Sequence, residues 1–175
     1  RTRCIVPSRR LPFWIFKYLT QTQRHLPDLS WITPSLSICG AIKTAHYSSL
    51  AKLGISAVVD LRDEGKDDQR LLDLVGIDLL HLPTKDRGFP SKLQLATGII
   101  WISKHLEQGN KVLIHCKNGI GRSFIMTACV LVSQGNELEA SLRLIKRRRW
   151  GAYLNHRQHS ALNQFIQTLT EKRSH

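Results

Sequence analysis

The amino-acid sequence predicts an α/β domain in which a central, mainly parallel sheet is flanked by helices, with a helical C-terminal half. Residues 55–62 (ISAVVDLR) and 111–116 (KVLIHC) are continuous apolar runs, which are typical of strands buried on both faces. Helix-capping signals lie between these runs, and after residue 123 the pattern is helical alone. Strands that alternate with helices, followed by a run of helices, indicate the α/β class.

Strands and short helices alternate through the first half of the chain. Thr44 is suited to be the N-cap of a helix, which Gly54 is expected to end. A charged turn, DEGKDD, follows the strand over 55–62. The predicted elements are a strand over 35–42, a helix over 45–53, a strand over 55–62, a helix over 69–75 ended by Gly76, and a strand over 77–83.

Two capping boxes mark helices in the second half of the chain. Ser91 with Gln94 predicts a helix that runs to about Gln108 and ends at Gly109. Asn136 with Glu139 predicts another helix start. After the first of these helices, the predicted elements are a strand over 111–116 and helices over 123–134, 137–149 and 157–171.

We divide the 175-residue chain into a basic, aromatic N-terminal arm over 1–29 and a single domain over 30–175, because this length suits one core. The apolar stretch over 11–19 (LPFWIFKYL) is much shorter than the ~20 residues that a membrane span needs. The arm is expected either to pack on the domain or to anchor at a membrane surface. Because the chain begins with Arg1, we expect an excised or processed segment.

The formal net charge of +13 favours anionic partners. The run over 146–149 (KRRR) lacks interleaved aromatic residues, so we do not expect nucleic acid as a partner. That run is expected either to be solvated or to recruit acidic substrates or phospholipid head groups. The cysteines are too few and too scattered for a disulfide framework or a zinc site, which favours a cytoplasmic location, with peripheral membrane attachment as an alternative.

A cysteine stands where a buried strand gives way to a glycine-rich loop. The strand delivers Cys116 to the carboxyl edge of the sheet, where open α/β folds bind ligands. Gly119 and Gly121 allow the loop to curl so that its N–H groups point inward at an anion. Arg122 offers a planar fork for two oxygens of a tetrahedral anion, and Ser123 can donate a hydrogen bond to sulfur. These neighbours favour the thiolate, which predicts a nucleophile beside a phosphate-sized cradle.

The segment HCKNGIGRS over 115–123 resembles the signature loop of the cysteine-dependent protein tyrosine phosphatases, in which His-Cys precedes five residues, Arg, and Ser or Thr. Over roughly 30–170 the length and spacing resemble the compact dual-specificity branch. The resemblance implies a phosphatase-like fold and a supporting role for His115, which is expected to hydrogen-bond the loop and help to set the pKa of the thiol. The phosphate-binding loop implied in this way comprises Lys117, Asn118, Gly119, Ile120, Gly121 and Arg122.

Cleavage of a phosphate ester by a cysteine needs an acid that protonates the leaving oxygen. Asp86 is the acidic residue of the segment over 81–91 (HLPTKDRGFPS), and dual-specificity phosphatases carry their general acid in a similar loop. Asp60 is the main alternative, although its position at a strand end favours a structural hydrogen bond. Gln158 falls near the place where some members of the superfamily position the water of the second step. Trp150 stands where proline is usual in that stretch and so departs from the pattern.

The resemblance and the loop chemistry together predict a phosphomonoester hydrolase that forms a phosphocysteine intermediate and needs neither a metal nor a cofactor. Cys116 is the predicted nucleophile, and Asp86 the general acid and base. Arg122 is expected to bind phosphate and stabilise the transition state, while Ser123 supports the leaving thiolate. The expected substrate is a phosphoprotein, and the alternatives are a phosphoinositide or other phospholipid at an acidic membrane surface, or a non-catalytic phosphate-binding module. A rhodanese-like sulfurtransferase would also place a cysteine in an anion-binding loop, but it would require neither Arg followed by Ser nor a general acid.

Overall fold

A five-stranded mixed sheet forms the centre of the computed structural model, which describes residues 27–171. The strands are β1 (Leu29–Trp31), β2 (Leu36–Cys39), β3 (Ile55–Arg62), β4 (Asp78–Thr84) and β5 (Lys111–His115). Their order across the sheet is β1-β2-β5-β3-β4. Strand β1 is antiparallel to β2 and all other pairs are parallel, which confirms the predicted mainly parallel sheet.

Helices cover both faces of the sheet. A single 3₁₀ turn, Thr44–His46, precedes the first of them. The α-helices are α1 (Tyr47–Lys52), α2 (Gln69–Asp73), α3 (Lys92–Glu107), α4 (Arg122–Ser133), α5 (Leu138–Arg148) and α6 (His156–Glu171). The last three follow one another without a strand, as the helical C-terminal half predicted. Within residues 27–171, no helix combines the length and the apolar character required to span a bilayer.

The central strands bury side chains on both faces because successive residues of a strand point in opposite directions. Val58 of β3 and Leu113 of β5 pack in the core cluster on the side of α1, whereas Val59 and Ile114 pack in the larger cluster on the side of α4. Helix α4 is buried on every side along residues 122–132, because it lies between the sheet and the helices α3, α5 and α6. The start of α4 is therefore fixed rigidly against the end of β5.

The predicted helix ends are confirmed more often than the predicted helix starts. Left-handed φ angles of 72° to 81° confirm the helix stops at Gly54, Gly76 and Gly109. The capping box of Ser91 and Gln94 is also confirmed. The prediction that Thr44 is an N-cap is wrong, because Thr44 lies inside the 3₁₀ turn and Lys43 precedes it as the cap.

The capping box predicted from Asn136 and Glu139 is wrong. Glu137 is the N-cap of α5 and makes no side-chain capping bond, while the Asn136 amide donates to the Leu131 carbonyl oxygen at 2.8 Å. Strand β1 was not predicted, because its three residues lie in a stretch rich in proline and turn formers. The arm boundary at residue 29 stays a prediction, since residues 1–26 and the aromatic stretch over 11–19 lie outside the described residues.

The carboxyl ends of β2, β3, β4 and β5 meet at one edge of the sheet because these strands are parallel. Three loops gather there. They are the segment over 63–68 after β3, the segment over 85–91 after β4, and the segment over 116–121 after β5. This edge holds the residues that the sequence singled out.

Candidate active site

The loop between β5 and α4 wraps around the sulfur of Cys116. The Gly119 N–H donates to Cys116 Sγ at 3.3 Å, and Sγ lies 3.4 Å from Ser123 Oγ. Helix α4 begins at Arg122, with Gly121 as its N-cap, so the positive end of the helix faces the sulfur. The thiol therefore lies at the base of the loop, as the sequence predicted, and binding of an anion by the loop stays a prediction.

Opposing effects act on the thiol of Cys116, which is buried. Burial by itself raises its pKa, because the thiolate loses hydration. Hydrogen bonds from the Ser123 side chain and backbone, the charge of Arg122 and the Gly119 N–H act the other way. The balance lowers the pKa of Cys116 below its ordinary value, which favours the nucleophilic thiolate.

Gly119 is the residue that lets the loop close. Its φ of 68° is left-handed, and a Cβ atom there would lie 2.4 Å from the Cys39 carbonyl oxygen. Gly121 was predicted to share this role, but its φ is −118° and a Cβ atom would meet nothing closer than 3.5 Å. The tight curl around the sulfur therefore depends on Gly119.

The guanidinium of Arg122 is buried, and both of its Nη atoms donate hydrogen bonds to oxygen atoms. Its Nη1 donates to Glu64 Oε2 at 2.8 Å and to the Thr84 carbonyl oxygen at 2.7 Å. Its Nη2 donates to Glu64 Oε1 at 2.7 Å and to Asp86 Oδ1 at 3.1 Å. Hydrogen bonds from Arg122 hold the pKa of the Glu64 carboxyl well below its ordinary value. Glu64 therefore fixes the plane of the fork that was predicted to bind phosphate.

Asp86 reaches the same site from the loop after β4. Its side chain is 47% exposed, and Oδ1 accepts from both Arg122 Nη2 and the Arg87 N–H. Within residues 27–171, Arg87 is the non-glycine residue with a left-handed backbone, at φ 58°. That conformation turns the loop so that Asp86 faces the guanidinium. The alternative acid, Asp60, is fully buried at the end of β3.

His115 makes no side-chain hydrogen bond to the loop over 116–121, and that part of the prediction is wrong. Its Nε2 lies 2.6 Å from Asp67 Oδ2, and its Nδ1 has no hydrogen-bond partner. Asp60 and Asp67 both accept from the Arg62 guanidinium, at 2.8 Å and 2.6 Å. Asp60, Asp67 and His115 are close enough to one another to share a metal ion. Since Arg62 already supplies a cation to both carboxylates, we interpret the cluster as a network of ion pairs and hydrogen bonds that supports the end of β5.

Gln158 lies in the cleft, but the oxygen and the nitrogen of its side-chain amide already have hydrogen-bond partners. Its Nε2 donates to the Gly88 carbonyl oxygen at 2.9 Å, and its Oε1 accepts from the Asn155 N–H at 3.2 Å. Gln158 thus ties the loop that carries Asp86 to the start of α6. The cleft has a volume of about 270 Å³ and is lined by Asp86, Arg87, Cys116, Asn118, Ile120, Gly121, Arg122, Tyr153, Asn155 and Gln158.

The remaining loop residues contribute mainly through their backbone. The Lys117 side chain is exposed, and its carbonyl oxygen accepts from the Ala41 N–H at 3.0 Å. The Ile120 carbonyl oxygen accepts from the Tyr153 N–H at 3.3 Å. The carbonyl oxygens of Asn118 and Gly119 face the interior, where Arg149 binds both.

The sequence did not indicate the roles of Glu64, Asp67 and Arg149, nor that Arg87, Tyr153 and Asn155 line the cleft. The first two lie in the segment over 63–68, which was interpreted as a charged turn. Because that segment follows a parallel strand, its acidic residues could have been placed at the same edge as the loop over 116–121. Arg149 belongs to the run over 146–149, whose other members are exposed. No local signal separates it from its neighbours.

A thiol in an anion-binding loop, an arginine fork and a facing carboxylate define the class of thiol-based phosphate-binding α/β domains. The profile of a family described as "Polymorphic toxin system, DSP-PTPase phosphatase" matches residues 36–136. The chain belongs to this family of cysteine-dependent phosphatases.

Curated relatives and solved structures agree with this assignment. The Arabidopsis thaliana phosphatidylglycerophosphate phosphatase PTPMT2 is 31% identical over 47% of this chain and 38% of its own length. The mouse protein tyrosine phosphatase type IVA 3 is 27% identical over 81% of this chain and 80% of its own length. The crystal structure of Tk-PTP in the active form has a TM-score of 0.73 and 28% identity over 81% of this chain and 97% of that chain.

PTPMT1 shares the fold, with a TM-score of 0.77 and 21% identity over 83% of this chain and 98% of that chain. The first curated relatives are longer than the matched region. The chain spans 38% of the Arabidopsis thaliana protein and 63% of the mouse protein tyrosine phosphatase type IVA 2.

Proposed function

We propose that the chain hydrolyses phosphomonoesters in two steps through a phosphocysteine intermediate, with a phosphoprotein as substrate. The observation that carries this proposal is the thiol of Cys116, whose pKa is lowered inside a loop that presents N–H groups and Arg122 to the same point. A cysteine that only packs in an apolar core does not require N–H donors and a cation around its sulfur.

In the first step the Cys116 thiolate attacks phosphorus and the bond to the leaving oxygen breaks. Substrate phosphate takes the place of the Asp86 carboxylate on Arg122 Nη2, a contact of 3.1 Å in the structure. Asp86, released from that contact, takes up a proton from solvent and then donates it to the leaving oxygen. The loop N–H groups and Arg122 hold the equatorial oxygens while charge redistributes.

In the second step water attacks the phosphocysteine and the sulfur–phosphorus bond breaks. Asp86 accepts a proton from the water, and the Ser123 hydroxyl, 3.4 Å from Sγ, stabilises the leaving thiolate. Gln158 lines the cleft and is proposed to orient the water. It would do so with the second Nε2 hydrogen, since the first is donated to Gly88.

A phospholipid substrate is the second candidate, and it has a specific observation in its favour. Lys146, Arg147 and Arg148 are exposed at the end of α5, where they could meet acidic head groups. One relative is named a phosphatidylglycerophosphate phosphatase, and a solved neighbour, PTPMT1, is in complex with PI(5)P. Under this alternative the protein would attach peripherally to a membrane, whereas the phosphoprotein proposal needs only a cytoplasmic location.

Hydrolysis of p-nitrophenyl phosphate in the presence of EDTA tests the reaction. We expect turnover without added metal, and no turnover from Cys116→Ser. Asp86→Asn is expected to bind vanadate normally but to turn over about 10²-fold more slowly, the usual contribution of an acid catalyst. Asp78→Asn, an exposed carboxylate on β4, is the matched control and should leave turnover unchanged.

Each outcome bears on a separate part of the proposal. Tight vanadate binding without turnover by the unaltered protein would indicate the non-catalytic phosphate-binding module. Full activity of Asp86→Asn would assign the acid to another residue. A panel of phosphopeptides and phosphoinositides then decides the substrate class, and a preference of at least tenfold for a phosphoinositide would replace the phosphoprotein.

A further inference from the structure

Arg149 is a buried charge in a run of exposed ones. It follows the last residue of α5 and is only 2% exposed, whereas Arg147 and Arg148 are on the surface. The sequence favoured a solvated helix end for this run or a patch that recruits acidic ligands. Neither interpretation accounts for a guanidinium in the protein interior, because burial of an arginine is costly unless every hydrogen-bond donor has a partner.

The partners of Arg149 include the back of the phosphate loop. Its Nη2 donates to the Asn118 carbonyl oxygen and its Nε to the Gly119 carbonyl oxygen, both at 3.1 Å. The described peptide bonds are trans, and in a trans peptide the carbonyl and the following N–H point in opposite directions. The Asn118 carbonyl oxygen that faces Arg149 therefore turns the Gly119 N–H towards Cys116 Sγ, at 3.3 Å. By the same geometry, the Gly119 carbonyl directs the Ile120 N–H to the front of the loop.

The other side of Arg149 is held by the segment that precedes β1. Its Nη1 donates to the Asp28 carbonyl oxygen at 2.8 Å, and its Nη2 forms an ion pair with Asp28 Oδ2 at 2.8 Å. The Ser30 hydroxyl lies 3.3 Å from Nη1. The carboxylate compensates the buried charge, and the guanidinium bridges β1 and the phosphate loop.

We propose that Arg149 is a positioning residue that holds two peptide groups of the phosphate loop with their N–H groups towards the thiol and the substrate phosphate. A cation at the carbonyl end of a peptide also polarises it, which strengthens the N–H at the other end as a donor. Arg149 touches neither the sulfur nor the substrate and acts through the backbone. The inference rests on the proposed function of the loop.

The titration of the Cys116 thiol depends on the charged and titratable groups around Cys116 and Arg149. Arg122 from α4 acts on Cys116, and Cys39 at the end of β2 interacts with the same thiol. Asp28 is the carboxylate that faces Arg149, and both also act on Cys39. Arg149→Met also removes the cation that pairs with Asp28, so Arg149→Lys, which keeps the positive charge, is needed to separate the effect of charge from that of loop geometry.

The test compares Arg149→Met, Arg149→Lys and the control Arg143→Met, an exposed arginine on α5. Alkylation of Cys116 by iodoacetamide as a function of pH gives the titration of the thiol, and it needs no turnover. We expect the midpoint to rise in Arg149→Met and vanadate binding to weaken about tenfold or more, as for loss of hydrogen bonds to a charged ligand. Arg149→Lys should show a smaller change in the same direction, because one ammonium cannot reach both carbonyls in fork geometry. The control should match the unaltered protein.

A structural role alone predicts a different result. Variants at Arg149 that unfold more easily yet keep the alkylation midpoint and vanadate affinity of the unaltered protein would overturn the inference. If Arg149→Met does not fold, Arg149→Lys decides by the same two readouts. The unaltered protein offers a further measurement, since vanadate should slow hydrogen exchange of Arg149 Nε–H, and unchanged exchange would contradict the proposal. Loss of all turnover in the unaltered protein would refute the proposed function but leave these readouts intact.

Discussion

Cys116 and Cys129 lie on the same β5–α4 segment, and both are almost completely buried. The pKa values of their thiols are nevertheless shifted in opposite directions. Cys129 is in the middle of α4, and burial alone raises its pKa. Cys116 precedes the helix, where Ser123, Arg122 and the Gly119 N–H outweigh burial and lower its pKa. The comparison shows that burial does not decide thiol reactivity, and that polar groups fixed around the sulfur do.

The largest expected effect comes from Gly119→Ala, which should make the surroundings of Cys116 more like those of Cys129. The new Cβ atom would lie 2.4 Å from the Cys39 carbonyl oxygen and 2.7 Å from Arg149 Nη2, so the loop must shift and the N–H must leave the sulfur. We expect turnover to fall about 10²-fold and unfolding to become easier by about 2–3 kcal/mol. Kinetics with p-nitrophenyl phosphate and urea unfolding measure the two effects.

Gly135→Ala is the matched control for that substitution. Gly135 has a left-handed φ of 94°, but a Cβ atom there meets nothing within 4 Å. Its substitution should cost about 1 kcal/mol of backbone strain and leave turnover unchanged. Equal losses of turnover in the two variants would show that crowding at Gly119 is not the cause of the loss.

A smaller effect is expected from Ser123→Ala, which removes the side chain that contributes most to lowering the pKa of Cys116. The midpoint of the iodoacetamide reaction should rise by about one pH unit, because a hydrogen bond to a charged group is lost. Turnover should fall about tenfold. Ser133→Ala, at the far end of α4, is the control, and a midpoint that is the same in both variants would contradict the role of Ser123.

The smallest effect is a difference in how stability depends on pH. A lowered pKa in the folded state means that Cys116 adds stability as pH rises towards the unfolded thiol value of about 8.5. A raised pKa means that Cys129 removes stability as pH rises above that value, by up to about 1.4 kcal/mol per pH unit. Urea unfolding between pH 6 and 9.5 gives the free energy of unfolding at each pH. Compared with the unaltered protein, this free energy should rise less with pH in Cys116→Ala below about pH 8.5, and should fall less with pH in Cys129→Ala above it. Identical pH profiles for the two variants would refute the contrast.

Local patterns in the sequence were enough to predict the fold and to select the residues at the centre of the candidate site. The strands β3 and β5 are continuous apolar runs, and Cys116, Arg122 and Ser123 are fixed relative to one another by a strand end and a helix start. Asp86 was selected as the acidic residue of a segment that follows a strand and resembles the acid loop of dual-specificity phosphatases, and its role as the acid stays a prediction. In each case, the information lies within a few residues of the feature that it predicts.

The residues that were missed depend on distant parts of the chain. Arg149 contacts Asp28, 121 residues away in sequence, and Glu64 contacts Arg122 at a separation of 58 residues. His115 was assigned to the loop beside it in sequence, whereas its partner Asp67 comes from another strand end. Charged pairs of this kind have no periodic pattern, because the partner is selected by the packing of the sheet and not by local propensity.

Under the proposed mechanism, the contact between Asp86 and Arg122 has a consequence for product release. Once Asp86 has lost to solvent the proton that it accepts from water, its carboxylate can return to the Nη2 atom that inorganic phosphate would vacate, and product departure would be an exchange of one anion for another. Glu64 stays paired with the guanidinium in the mechanism proposed above, and the return of Asp86 restores the second anionic partner as phosphate departs. The side chain that we propose to deliver a proton at the start of the reaction would thereby also displace the product and restore the resting enzyme.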